Sequence, residues 1–97
     1  MYIKNSDWQE NVLQTPAGTI REFGPQNVLS DHATAFMMEH LDIPRGARAI
    51  DTGCGTGVLA IFMSMAGASK VTGTDIDRRS LEAARYNTVI NRTNNVD

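Results

Sequence analysis

The chain is poor in cysteine, poor in aromatic residues and nearly balanced in charge. Its 97 residues include one Cys, three Phe, two Tyr and one Trp, and the formal net charge is −2. A lone thiol can form neither an intramolecular disulfide nor a cysteine-rich zinc site. It suits a reducing compartment, so a cytoplasmic setting is expected. Without a basic excess there is no broad electrostatic footprint for nucleic acid. The longest apolar run, Val58–Met63, falls far short of the ~20 residues of a membrane span. No basic segment followed by a small-residue cleavage site marks a secretory leader. His32 and His40 lack an accompanying carboxylate pattern, so no metal site is expected. There is no internal repeat and no low-complexity tract. At 41% hydrophobic the chain is too apolar for a disordered segment, and its length allows at most one domain.

Two segments differ in texture. Residues 1–45 are mixed and polar. Val12–Thr15 and Thr19–Phe23 flank Pro16-Ala17-Gly18, which predicts a hairpin. Gly24-Pro25-Gln26-Asn27 is expected to break the strand. Ser30 or Asp31 then caps a helix running to about Leu41, because a short side-chain oxygen can accept from free first-turn N–H groups. Ala33, Phe36, Met37 and Leu41 fall on one face of that helix, its expected buried side. Pro44 and Gly46 end it.

Residues 46–97 alternate strands and helices. Ala47–Ile50 reads as a strand that leads into Asp51-Thr52-Gly53-Cys54-Gly55-Thr56-Gly57. Val58–Ala66 is an almost wholly apolar helix, and so one covered on most sides, with Gly67 as its C′ residue. Lys70–Thr74 is a second strand. A third helix follows Asp77, its N-cap, and runs to about Asn91; residues 92–97 are polar and expected to fray. Strand, glycine-rich turn, helix and strand make a βαβ unit with parallel strands. The fold class is therefore α/β, a partial Rossmann-like sheet preceded by a hairpin and a helix. Met37, Met38, Met63 and Met65 read as core filling. Arg78, Arg79, Arg85 and Arg92 read as a solvated helix face. Asn87 and Asn91 read as caps or bridges to neighbouring loops, and Trp8 as either a lid or simple packing.

The glycine turn carries the functional signal. Glycines turn the chain sharply and let backbone approach a ligand, which the turn delivers to a helix N-terminus. Dinucleotide sites carry G-x-G-x-x-G with pyrophosphate over the helix. Here the spacing is G-x-G-x-G, and Asp51 stands just before the glycines, where it would repel a pyrophosphate and welcome a cationic group. Asp75 closes the second strand. It lies at the distance from the glycines at which Rossmann sites carry their ribose-binding acid. Cys54, inside the turn, is either a thiol activated by the helix N-terminus or a small space-filling residue.

Asp51–Gly57 resembles motif I of class I S-adenosylmethionine (SAM) methyltransferases, and Val71-Thr-Gly-Thr-Asp-Ile-Asp77 resembles their second motif. The closer resemblance is to the ribosomal protein L11 methyltransferase type and its small methyltransferase domain relatives. Gly53–Ile61 with Gly67-Ala68, the Val71–Asp77 segment, and Ala84-Arg85-Tyr86-Asn87 with Asn91 carry it. Phe23-Gly24 and His32-Ala33-Thr34 resemble that type's upstream approach to the cofactor, from which Pro25 and Gln26 depart. The resemblance implies that SAM is the cofactor. Gly53, Cys54, Gly55 and Gly57 would lie along it, Asp51 would hold its amino end, Asp75 its ribose hydroxyls and Thr34 its carboxylate. Ile76 would pack on adenine.

The resemblance also implies what the chain lacks. Such enzymes have more strands than the two parallel strands and hairpin read here, and no acceptor-loop sequence is present. The chain is thus expected to be the SAM-binding N-terminal half of a Rossmann-like domain (46–97) behind an N-terminal hairpin and helix (1–45), inactive alone. An open sheet edge offers a route to self-association. The methyl acceptor, whether protein, RNA or small molecule, stays open. An NAD(P)-binding module and a non-catalytic interaction protein are the competing readings.

Overall fold

A computed structural model of the chain describes residues 7–97; residues 1–6, the start of the 1–45 segment, lie outside the described residues. The hairpin is formed by β1 (Trp8–Thr15) and β2 (Gly18–Pro25), antiparallel, with Thr15 opposite Gly18 and Pro16-Ala17 as the turn. Thr15 Oγ1 donates to Gly18 O at 2.7 Å and accepts from Ala17 N–H at 3.1 Å, which ties the turn to its own strand ends. The strands are longer than the sequence predicts. Gly24 and Pro25 stay in register opposite Gln9 and Trp8. At the last strand position a proline's missing N–H disturbs little of the ladder.

A 3₁₀ turn, Gln26–Val28, leads to α1 (His32–His40). Its cap is Asp31, whose Oδ1 accepts from Ala33 N–H at 3.1 Å and Thr34 N–H at 3.3 Å. Then come β3 (Arg48–Thr52), α2 (Val58–Met65), β4 (Lys70–Thr74) and α3 (Arg78–Ile90). β3 and β4 are parallel, with Asp51 opposite Gly73. Gly67, with φ of 118°, ends α2 in a left-handed turn. Its N–H donates to Ser64 O, and Ala68 N–H donates to Met63 O, the two bonds of a Schellman cap. Asp77 caps α3 by accepting from Arg79 N–H at 3.0 Å.

The core gathers around α2. Val58, Ala60, Ile61, Phe62 and Met63 are buried together with Ile20 from the hairpin, Met38 from α1 and Val71 from β4. Each such large apolar side chain contributes roughly 1.5–3 kcal/mol by leaving water. The hairpin and α1 therefore share one core with the parallel strands. Trp8 packs inside the hairpin against Phe23, ring centroids 5.6 Å apart.

Two expectations are corrected. The helical face Ala33, Phe36, Met37 and Leu41 is not the buried side of α1. Phe36 is 64% and Met37 45% exposed, while Met38 is buried. α1 rests on β1 and α2 through the turn that carries Met38, and Phe36 instead stacks on His40 with centroids 4.1 Å apart. Met37 is thus no core residue. The C-terminal residues are not frayed either. Val96 pairs in parallel with Val71, and the ladder runs through Val71 N–H to Asn95 O, Asp97 N–H to Val71 O and Gly73 N–H to Asp97 O, all 2.7–2.9 Å. Asn95 anchors this segment by donating to Ala68 O and Ser69 O. Among the described residues no helix is long and apolar enough to cross a membrane.

Candidate functional site

The glycine turn joins β3 to α2, and its shape follows from residues that need positive φ. Gly53 sits at φ 68° and Gly57 at φ 84°, a region that a Cβ disfavours by roughly 1–2 kcal/mol. The two glycines meet different surroundings. A Cβ on Gly57 would lie 3.1 Å from the Ala84 Cβ, so its bareness lets the start of α2 seat against α3. A Cβ on Gly53 would meet nothing within 4 Å. The space in front of it is an open cleft, into which bare backbone faces.

That cleft holds about 360 Å³ and lies between the glycine turn and the start of α1. Asp51, Gly53, Cys54 and Gly55 line one wall, and Ser30, Asp31 and Thr34 the other. The structure therefore brings together five of the residues singled out in the sequence: Thr34, Asp51, Gly53, Cys54 and Gly55. Gly57 stands behind the wall, under Ala84. Asp75 joins the turn from the end of β4, accepting from Gly55 N–H at 2.9 Å. Ile76 next to it is fully exposed.

The surroundings of the two aspartates shift them in opposite directions. Asp75 Oδ1 accepts from Asp77 N–H at 2.9 Å while Oδ2 takes the Gly55 N–H. These backbone donors hold its carboxyl below the usual aspartate range. Asp51 is buried, and its Oδ2 has no hydrogen-bond partner among the described residues. Burial, then the nearby charge of Asp75, pushes its carboxyl up. A buried carboxylate oxygen without a partner is costly, and a cationic donor entering the cleft would relieve that cost. A pyrophosphate would aggravate it. On the Asp51 wall, then, the cost of burial favours a donor or a positive group over an anion.

Cys54 is a filler rather than an activated thiol. Its Sγ lies 3.1 Å from where a Cβ on Gly73 would stand, and burial followed by Asp51 and Asp75 pushes the thiol up. A raised pKa leaves less thiolate. Among the described residues no group of three His, Cys, Asp or Glu could hold a metal ion.

One residue behind the cleft was not singled out from the sequence. Glu22 of β2 is fully buried and accepts from Ser30 N–H at 2.7 Å, Ser30 Oγ at 2.8 Å and Thr56 Oγ1 at 2.5 Å. The available signal was the period of two in β2, which puts Glu22 on the same face as Ile20. Asn87, also fully buried, bridges to the glycine turn as expected and to a strand as well: it donates to Thr56 O, accepts from Phe23 N–H and donates to Phe23 O. Asn91 does the same for Arg21, one helical turn later.

Known proteins are similar to this chain in sequence and in fold. The family described as ribosomal protein L11 methyltransferase (PrmA) matches residues 30–97. A ribosomal protein L11 methyltransferase from Burkholderia mallei is 45% identical over 65 residues, which is 65% of this chain and 22% of the relative. One from Acetivibrio thermocellus is 47% identical over 51 residues, 53% of this chain and 16% of the relative. The chain thus spans about a fifth of the length of these curated relatives. Among solved structures, the T. thermophilus 16S rRNA N2 G1207 methyltransferase RsmC, in complex with AdoMet and guanosine, superposes with a TM-score of 0.78. The alignment is 20% identical and covers 91% of this chain and 26% of that one. At that identity the likeness speaks for the fold alone, and it includes the hairpin. With its glycine turn, paired aspartates and parallel strands in place, the chain belongs to the ribosomal protein L11 methyltransferase family.

Proposed function

We propose that this chain is the cofactor-binding segment of a SAM-dependent methyltransferase. The observation that carries the reading is Asp51, a buried carboxylate with an unpartnered oxygen on the wall of the cleft. SAM brings two positive centres, an amino group and a sulfonium, and the sulfonium supplies the methyl group when the cofactor is bound. Asp51 receives the amino end. Gly53 and Gly55 give bare backbone for close approach, Cys54 continues that backbone between them, and Gly57 sets the turn behind. Thr34 on the opposite wall takes the carboxylate. Asp75, ionised and at the rim of the turn, accepts from the ribose hydroxyls, and exposed Ile76 offers an apolar surface to the adenine.

The acceptor is a macromolecule of the ribosome in this reading, because the relatives are named for ribosomal protein L11. That acceptor would place the reaction in the cytoplasm. Methyl transfer needs acceptor and sulfonium held in line, and in this reading the acceptor side is supplied from outside the segment. The segment alone binds the cofactor without turnover. Its extent runs over two stretches, a hairpin and helix (1–45) and the first half of the Rossmann-like domain (46–97).

Calorimetric titration with SAM, with NAD as the control, tests this. Saturable SAM binding and none with NAD is the expected result. NAD binding, or no response to SAM, would overturn it.

A further inference from the structure

Glu22 is the one carboxylate of the described residues that is fully buried, and nothing in the cofactor reading uses it. Burying a carboxylate is expensive unless its lone pairs are filled, and an apolar residue on that strand face would cost less. No cation meets it; the ion pairs of the described residues lie elsewhere. Its partners are neutral donors: Ser30 N–H and Oγ and Thr56 Oγ1 on one oxygen, Asn11 Nδ2 at 3.4 Å on the other. The donors on the first oxygen, from Ser30 and Thr56, come from the two walls of the cleft. Ser30 directly precedes the cap of α1. Thr56 lies inside the glycine turn between Gly55 and Gly57, and its carbonyl is held separately by Asn87 Nδ2 at 2.9 Å.

We infer that Glu22 is a positioning residue for the cofactor site: from behind the cleft its carboxylate clamps the glycine turn to the entry of α1, and so sets the spacing across which SAM is held. This rests on the cofactor reading above. Glu22 touches no ligand. Its contribution is preorganisation, since a cleft whose walls are already tied loses less freedom on binding.

The test is SAM titration of the protein and three variants, with thermal melts of each. Glu22→Ala frees both walls and is expected to weaken SAM binding by about tenfold or more. Glu22→Gln keeps an oxygen facing Ser30 and Thr56, while its amide turns to Asn11, whose own amide can flip to accept. It is expected to restore affinity to within about threefold. Ile20→Val, buried on the same strand face, lowers the melting midpoint without touching the cleft and is expected to leave affinity unchanged. Should Glu22→Ala not fold, Glu22→Asp takes its place, its shortened carboxylate unable to span both partners. Affinity within twofold of the unsubstituted protein in the Ala or Asp variant overturns the inference. So does a loss in Ile20→Val that matches theirs, since that would make the effect one of stability. Failure of the unsubstituted protein to bind SAM overturns the cofactor reading itself, and this inference with it.

Discussion

Asn87 and Asn91 grip two alternate residues of β2, one amide to each. Asn87 accepts from Phe23 N–H at 2.9 Å and donates to Phe23 O at 3.0 Å; Asn91 accepts from Arg21 N–H at 2.8 Å and donates to Arg21 O at 2.7 Å. The geometry matches because four residues of helix rise about 6 Å and two of strand about 6.8 Å. The free edge of β2 is thereby paired by side chains as a neighbouring strand would pair it.

Removing these amides has graded consequences. Asn87→Ala leaves Phe23 N–H, Phe23 O and Thr56 O without their partner in a fully buried place, and should cost about 2–4 kcal/mol. Asn91→Ala, in a wetter position, should cost about 1 kcal/mol. Urea unfolding of both variants checks the order. An Asn87→Ala loss no larger than that of Asn91→Ala would contradict the role given to burial.

Asp51 makes a prediction about pH with a definite sign. Its carboxyl is raised by burial and by Asp75, so the folded chain holds its proton more tightly than the unfolded chain does. Stability from this group is fully present below the ordinary aspartate pKa and is lost as pH rises through the raised folded value. Asp51→Asn removes that loss. The ligand-free variant should melt above the unsubstituted protein at neutral pH, with the gap closing as pH falls toward about 4. SAM affinity should fall at the same time. Thermal melts across this range, paired with titrations, read both effects.

Asp75 has the opposite character, and its loss should be felt at the ligand. Asp75→Ala should weaken SAM binding by ~1–3 kcal/mol, the usual scale for hydrogen bonds to a charged group. It also frees the N–H groups of Gly55 and Asp77. Calorimetry on the folded variant decides the point; an unchanged affinity would remove Asp75 from the ribose site.

Arg92 ends α3 in a conformation that suits glycine. Its φ is 58°, and the bonds Arg92 N–H to Val89 O and Thr93 N–H to Thr88 O form the same cap that Gly67 completes after α2. Arg92→Gly should raise stability by about 0.5–1 kcal/mol. Thermal or urea unfolding measures it, and an unchanged or lower stability would contradict the argument.

Local chemistry was readable in advance where one residue type answers one backbone demand. A cap at Ser30 or Asp31, Asp77 as the cap of α3, Gly67 as terminator and the glycine turn before α2 all follow from short-range rules. The orientation of α1 does not. Its weak apolar stripe at Phe36, Met37 and Leu41 competes with the single contact of Met38, and tertiary packing on β1 and α2 decides between them. The pairing of Asn95–Asp97 was hidden because a polar segment can still donate its backbone to a waiting strand edge. Glu22 was hidden because carboxylates are rarely buried, so an alternating strand pattern was read through its apolar members. The parallel βαβ unit was plain; the link that fastens the hairpin to it was not.

The amide grip on β2 also bears on how such a sequence can change. Asn87 and Asn91 read only peptide groups, and peptide groups are the same whatever side chains they carry. The amide bonds themselves place no demand on the side chains at 21 and 23, provided the backbone stays extended; Phe23 answers instead to the rings of Trp8 and Tyr86. At these two positions the grip constrains the asparagines of the helix rather than the side chains of the strand. The family match begins at residue 30, beyond the hairpin, although the hairpin shares the core. A docking surface blind to side chains lets one partner drift while the other stands still.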